Sequence, residues 1–375
     1  MKRLNIFFFI LIAVFQTSFA SPLDDHKTLE IGAAAPTFSL PGTDGKTYTL
    51  SSFKSSKVLV VVFTCNHCPT AQAYEDRLIQ LTKDYAGKGV SVIAIMPNDP
   101  KSITLNELDY SDMGDSFEEM KIMAKQKKFN FPYLYDGATQ AVSIAYGPST
   151  TPHVFIFDKD RKLRFQGRID DVEKPSKTPN THDTRDAIDA LLANKEIASP
   201  TTKVFGCSVK WLEKSDWEQK AANQWAKEPV LLDTINITGI SDLVKNNSDK
   251  LRLINVWSLR NDLAALIFHD FITLGRIYTQ RDFEFISVSV DDLSNRDQVL
   301  AFLKKQESSG SNYLFVGDGK SKLFAAIDAK WNGSLPYTIL VEPGGKIVYS
   351  RQGTIDAEEL RKIIFNDPLI GRLYK

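Results

Sequence analysis

A chain of 375 residues with 46 basic and 46 acidic side chains is formally neutral, so it presents no electrostatic footprint for nucleic acid or for an anionic membrane surface. Its length allows two domains of roughly 100 to 200 residues, each burying its own core. Three cysteines are too few to staple a chain this long, so their meaning must be local.

The first element in chain order is MKRLNIFFFILIAVFQTSFA, with two basic residues, an apolar run from Ile6 to Phe15 and small residues at Ser18 and Ala20. The run is shorter than the roughly 20 residues of a membrane span. It predicts a cleaved signal peptide over residues 1–20 and a mature start near Ser21. No later apolar stretch is long enough to span a bilayer. The expectation is an exported protein without stable membrane insertion, periplasmic in a double-membraned bacterium and otherwise extracellular.

Two segments then repeat one order of signals. In the first, VLVVVF (58–63) runs into Cys65-Asn66-His67-Cys68. A helical segment follows, then GVSVIAIMPND (89–99), a second helical stretch, and FPYLYD through GRID (131–170). In the second, LRLINVW (251–257), a helical segment, FEFISVSVDD (283–292), QVLAFLKKQ and the stretch from Asn312 to Asp356 follow in the same sequence. Apolar β-branched runs alternating with helical patterns predict parallel strands with crossover helices. FIFDKDRKLRF and ILVEPGGKIVY predict closing hairpins. The fold class is therefore α/β, a central mixed sheet flanked by helices, made twice. The expected domains are 27–212, which carries the cysteine pair, and 213–375, which lacks it, with a polar Pro/Thr/Asn-rich loop and a helix near 185–194 before the junction.

A cysteine between a buried strand and a helix N-terminus meets unpaired amides and a positive dipole end, which favour the thiolate. On this reasoning Cys65 is the expected nucleophile. Cys68, one turn later, resolves, and His67 adds charge or a hydrogen bond that tunes the thiolate. Pro69 is tolerated at the first helical position. Glu75, further along that helix, is a candidate for proton transfer, and Cys207 is either a third thiol or a small buried hydrophobe. The bland alternatives are an inert disulfide, half of a zinc site that lacks its other ligands, or copper(I) held by Cys65, Cys68 and a histidine such as His153.

A strand ending Phe-x-Cys-x-x-Cys, with Thr151-Pro152 downstream before another apolar strand, resembles the thioredoxin superfamily. The stretch APTFSLPGTDGKTYTLSSFKSSKVLVVVF resembles its redoxin and peroxiredoxin-like (AhpC/TSA-type) branch. FTCNHCP, YEDRL, FPYLYD, GRIDD and GCSVKW together resemble a bacterial peroxiredoxin-like family that carries a CNHCP motif. The resemblance spans residues 27–212. It implies two tandem thioredoxin-like domains, a cis Pro152 that with Thr151 faces the dithiol, and thiol–disulfide oxidoreductase activity toward protein thiols, disulfides and a redox partner protein. No cofactor and no metal are required. Peroxidase action is the alternative, against which two positions speak. If Cys68-Pro69-Thr70 is read as the peroxidase motif, Cys65 replaces its Thr and Pro152 its Arg. The buried acid of thioredoxins is replaced by Leu59. In the second copy, NVWSLRNDLA places Asn261 and Ala264 where cysteines would stand, while Pro336 keeps the proline position. That domain is expected to dock a partner, cover the first site or form a homo-oligomer, which leaves a scaffold as a further alternative.

Overall fold

The computed structural model describes residues 26–317 and 319–374, so the expected signal peptide lies outside the described residues. Among the described residues no helix is long and apolar enough to cross a membrane.

The first unit opens with a small hairpin, β1 (Ser39–Pro41) against β2 (Thr47–Thr49). Strand β3 (Val58–Phe63) leads to helix α1 (Pro69–Tyr85) and strand β4 (Val90–Met96). Helix α2 (Phe117–Lys127), strand β5 (Tyr133–Tyr135) and helix α3 (Ala141–Tyr146) follow. The unit continues through β6 (Thr150–Thr151), β7 (His153–Phe157), β8 (Leu163–Gly167), helix α4 (Asp183–Leu192) and β9 (Cys207–Ser208). Its main sheet has the order β5-β4-β3-β7-β8, with β3 parallel to β4 and antiparallel to β7. All six residues of β3 are buried, because this central strand is covered on both faces. Val58, Val60 and Val62 enter the core that α1 and α4 complete. Leu59, Val61 and Phe63 enter the opposite core with Tyr146, Phe155 and Phe157. Helix α1 buries Ala71, Tyr74, Leu78, Leu81 and Tyr85, spaced three and four apart along one stripe.

The second unit follows helix α5 (Asp216–Trp225). It runs β10 (Asp233–Ile235), α6 (Ile237–Lys245), β11 (Leu251–Trp257), α7 (Asp262–Ile277), β12 (Phe283–Ser289), α8 (Arg296–Lys305) and β13 (Ser311–Phe315). It closes with α9 (Lys320–Ile327), β14 (Tyr337–Val341), β15 (Ile347–Gln352) and α10 (Ala357–Asn366). The sheet order is β10-β13-β12-β11-β14-β15, which without β10 repeats that of the first unit. Thr151–Pro152 and Leu335–Pro336 are both cis.

The two units share a contact built on residues 105–111. Leu105 and Leu108 pack against the core of the second unit. Arg281 Nη1 donates to the Asp109 carbonyl (2.7 Å) and its guanidinium lies 4.0 Å above the Tyr110 ring. Arg361 donates to the Ser111 carbonyl (2.8 Å).

Candidate functional site

Helix α1 begins three residues later than a nucleophile capping it at Cys65 requires. Pro69 is its first residue and Cys68 its N-cap, with extended backbone, so the unpaired amides of the first turn point at Cys68. The expectation that Cys65 occupies the helix N-terminus is corrected here. Cys65 lies in the connection from β3, with its sulfur 3.1 Å from the Thr151 hydroxyl. When protonated, Cys68 donates to the Thr151 carbonyl (3.3 Å). Both cysteines thus face the Thr151–Pro152 segment. Cys65 is 4% exposed and Cys68 0%, so neither sulfur meets bulk solvent.

Electrostatics separate the two thiols. Burial disfavours ionisation of Cys68. It is outweighed by hydrogen bonds from the Cys207 and Cys65 thiols, by the charge on His67 and by the Ala71 amide, so the Cys68 pKa falls well below the thiol range. Burial, together with its hydrogen bond to Cys68 and the nearby Asp115 charge, drives Cys65 the other way. The thiolate belongs to Cys68.

His67 is held by a residue the sequence did not single out. Asp115 Oδ2 accepts from His67 Nδ1–H (2.7 Å) and from Asn98 Nδ2 (2.7 Å). Asp115 Oδ1 accepts from the amides of Asn66 (2.9 Å) and His67 (3.1 Å). Burial alone would lower the His67 pKa, but the Asp115 charge and hydrogen bond raise it above its ordinary value, while Asp115 itself is lowered despite burial. The result is a buried ion pair next to Cys68. The loop bearing Asp115 is tied to the site at two further points. Gly114 O accepts from Asn66 Nδ2 (2.8 Å) and Tyr110 O from Gln72 Nε2 (3.1 Å).

Cys65 Sγ, His67 and Asp115 are the one group among the described residues whose three ligand atoms lie within 4.8 Å of one another. A metal there would have to break the His67–Asp115 pair. His153, considered above for copper, is turned away. Its Nε2 bonds to Gln166 (2.8 Å), its Nδ1 accepts from the Ser149 amide (3.2 Å), and burial lowers its pKa to about 4.

Glu75 is also corrected. Its carboxylate is captured by Lys127 (2.7 Å) and by Arg372 from the second unit (3.1 Å), and is not free to carry protons for the thiols. The guanidinium groups at α1, Arg77 and Arg372, are committed to Asp170 and Glu75. Cys207 does join the site. Its amide donates to Cys68 Sγ (3.4 Å) and it pairs with Thr151 across β6 and β9. Segment 372–374 lies by the start of α1, with Arg372 bonded to Glu75 (3.1 Å) and the Tyr374 phenol near Glu173 and Thr70. In the second unit, Asn261 caps α7 through the Leu263 amide (2.9 Å) as Cys68 caps α1, and Ser258, hydrogen-bonded to Asp291 (2.8 Å), stands where Cys65 does, so the expected equivalence of Ala264 with a cysteine is corrected.

Residues 31–166 match the AhpC/TSA family. A thiol-disulfide oxidoreductase ResA from Geobacillus thermodenitrificans is 24% identical over 164 residues, 43% of this chain and 83% of that protein. A hypothetical protein of Sinorhizobium meliloti of known structure is 34% identical, with a TM-score of 0.44, over 49% of this chain and 96% of that one. An uncharacterized conserved protein from Geobacillus kaustophilus is 38% identical, with a TM-score of 0.43, over 48% of this chain and 92% of that one.

Proposed function

We propose, for an oxidoreductase that belongs through residues 31–166 to the AhpC/TSA family of thioredoxin-like redoxins, that thiol–disulfide exchange with partner proteins runs through Cys65 and Cys68. The observation that carries this reading is two thiols of opposite acidity facing one peptide segment. Cys68 is favoured as thiolate, Cys65 as thiol, and both contact Thr151.

In the reducing direction, the Cys68 thiolate attacks one sulfur of a partner disulfide, forming a mixed disulfide and releasing the other partner sulfur as a thiolate that takes up a proton. Cys65 then loses its proton and attacks Cys68 Sγ. The mixed disulfide breaks, the second partner thiol departs, and the protein holds a Cys65–Cys68 disulfide. The oxidising direction is the same path reversed. His67 stabilises the Cys68 thiolate as reactant and as leaving group, and a leaving thiol of low pKa departs faster. The Thr151–Pro152 backbone, expected to meet the partner chain, is instead buried and paired with β9 through Cys207.

The test is a glutathione redox titration read by alkylation and intact mass. A reversible two-electron transition that consumes Cys65 and Cys68, and is absent in Cys68→Ser, is expected. Free alkylation of both cysteines across the whole range would remove the reading. Export belongs to the same proposal, supported by the leader pattern of residues 1–20. A chain recovered only from the cytosolic fraction, starting at Met1, would refute that part.

A further inference from the structure

The third cysteine has a position that dithiol exchange through Cys65 and Cys68 does not use. Segment 205–212 folds back onto the first unit. Phe205 packs beside Tyr74 with ring centroids 6.3 Å apart. The Lys210 amide donates to Asn98 Oδ1 (2.9 Å), and the Lys210 carbonyl accepts from Asp99 N (2.9 Å) and Gln140 Nε2 (2.8 Å). These contacts fix β9 against β6, with Cys207 opposite Thr151. Gly206 makes the approach possible. Its φ is +145°, and a Cβ there would stand 2.2 Å from the Thr151 carbonyl oxygen, so no other residue fits without moving the backbone.

The consequence is that Cys68 has Cys65 near it on its own loop and Cys207 near it on β9. The Cys207 amide reaches Cys68 Sγ at 3.4 Å, and Cys65 and Cys68 both contact Thr151, the residue paired with Cys207. The three sulfurs do not lie mutually within 4.8 Å, so they are not gathered as a metal-chelating group. Exposure also differs among the three. Cys65 and Cys68 are buried, whereas Cys207 is partly exposed.

We propose that Cys207 is a third redox residue, which takes over the disulfide at Cys68 and carries it toward the surface. The inference rests on the exchange chemistry proposed above. Cys207, as thiolate, attacks Cys68 Sγ of the Cys65–Cys68 disulfide. The Cys68–Cys207 bond forms, the Cys65–Cys68 bond breaks, and Cys65 leaves as a thiolate that takes up the proton Cys207 gave up. No electrons enter or leave, so no further oxidant is needed. Interaction with Cys68 and then burial raise the Cys207 pKa, and burial and then interaction with Cys68 raise that of Cys65. The transfer is therefore slower than attack by the Cys68 thiolate.

The test titrates the full chain in glutathione buffers as wild type, Cys65→Ser, Cys207→Ser and Cys68→Ser, with alkylation, digestion and peptide mass mapping. In Cys65→Ser the inference expects one intramolecular disulfide, with loss of alkylation at both Cys68 and Cys207 and a mass lower by two hydrogens. In partly oxidised wild type it expects a fraction with Cys65 alkylated and Cys68 joined to Cys207. The wild-type map does not depend on any variant folding. A wild type that holds only Cys65–Cys68, with a Cys65→Ser chain that stays free or takes up glutathione, overturns this inference and leaves the dithiol reading intact. A wild type that forms no disulfide overturns both.

Discussion

Replacing Asp115 by Asn tests whether the buried ion pair sets the acidity of Cys68. The change keeps shape. The amide oxygen can still accept from the Asn66 and His67 amides, while the new NH2 faces His67 Nδ1 and Asn98. Nδ1 would then accept instead of donate, and the imidazole would be neutral. Burial, the largest influence on His67 and the one that lowers its pKa, would act without its counterweight, so the ring would lose its charge near pH 7. Two unit charges about 5 Å apart at an effective dielectric of about 20 interact by about 3 kcal/mol. Removing the His67 charge should therefore raise the Cys68 pKa. It should also make the Cys65–Cys68 couple more reducing by about 70 mV, since the reduced form loses a stabilised thiolate. The assay is thiolate absorbance against pH, with a glutathione titration of the same variant. An unchanged Cys68 titration in a folded Asp115→Asn chain would refute the reasoning.

Arg281→Ala removes the bonds to the Asp109, Ile370 and Gly371 carbonyls and the contact with Tyr110, worth about 4 kcal/mol together. Urea unfolding should split into two transitions, with faster amide exchange around residues 109–115 and 370–371, and one unshifted transition would contradict this. Ending the chain at Gly371 removes the Arg372–Glu75 ion pair and the Tyr374 phenol, about 2 kcal/mol in all, so alkylation of Cys68 should accelerate about 30-fold. A rate equal to wild type would show that segment 372–374 does not cover the thiol. His153 should make the fold acid-sensitive. Its ordinary value of 6.5 falls to about 4 in the fold, so its contribution is intact above pH 6.5 and is lost as pH falls from 6.5 toward 4. The loss amounts to about 3 kcal/mol by pH 4. His153→Gln should flatten the decline in urea midpoint between pH 7 and 4.5, and a parallel decline would assign acid sensitivity elsewhere.

Strand β3 was legible because VLVVVF is apolar at consecutive positions, as a strand covered on both faces must be, and the two hairpins because Asp, Lys and Gly mark their turns. The thiol pair was legible from its spacing alone. Which sulfur receives the helix amides was not, because the helix could begin at either end of the motif, and Pro69 at its first position makes Cys68 the cap. Asp115 was hidden for a different reason. It stands 48 residues from His67, in a polar loop with Asp109 and Asp112, and no local pattern distinguishes the one that turns inward. Glu75 has the helical phase to sit near the site, but Lys127 and Arg372 claim its carboxylate, and both partners come from outside the helix. For Cys207 the one local signal was the glycine before it, which becomes informative only once Thr151 is known to lie opposite.

The link between Glu75 and Arg372 joins positions 297 residues apart. Synthesis proceeds at about 5 to 20 residues per second, so residue 372 follows residue 212 by roughly ten to thirty seconds. The first core can assemble in that interval, since every strand of its sheet has already been made. A newborn chain therefore passes through a stage in which Cys65, Cys68 and Cys207 are together and the Tyr374 phenol has not yet reached Thr70. Premature termination between these points would leave a domain with its sulfur chemistry in place and without its cover.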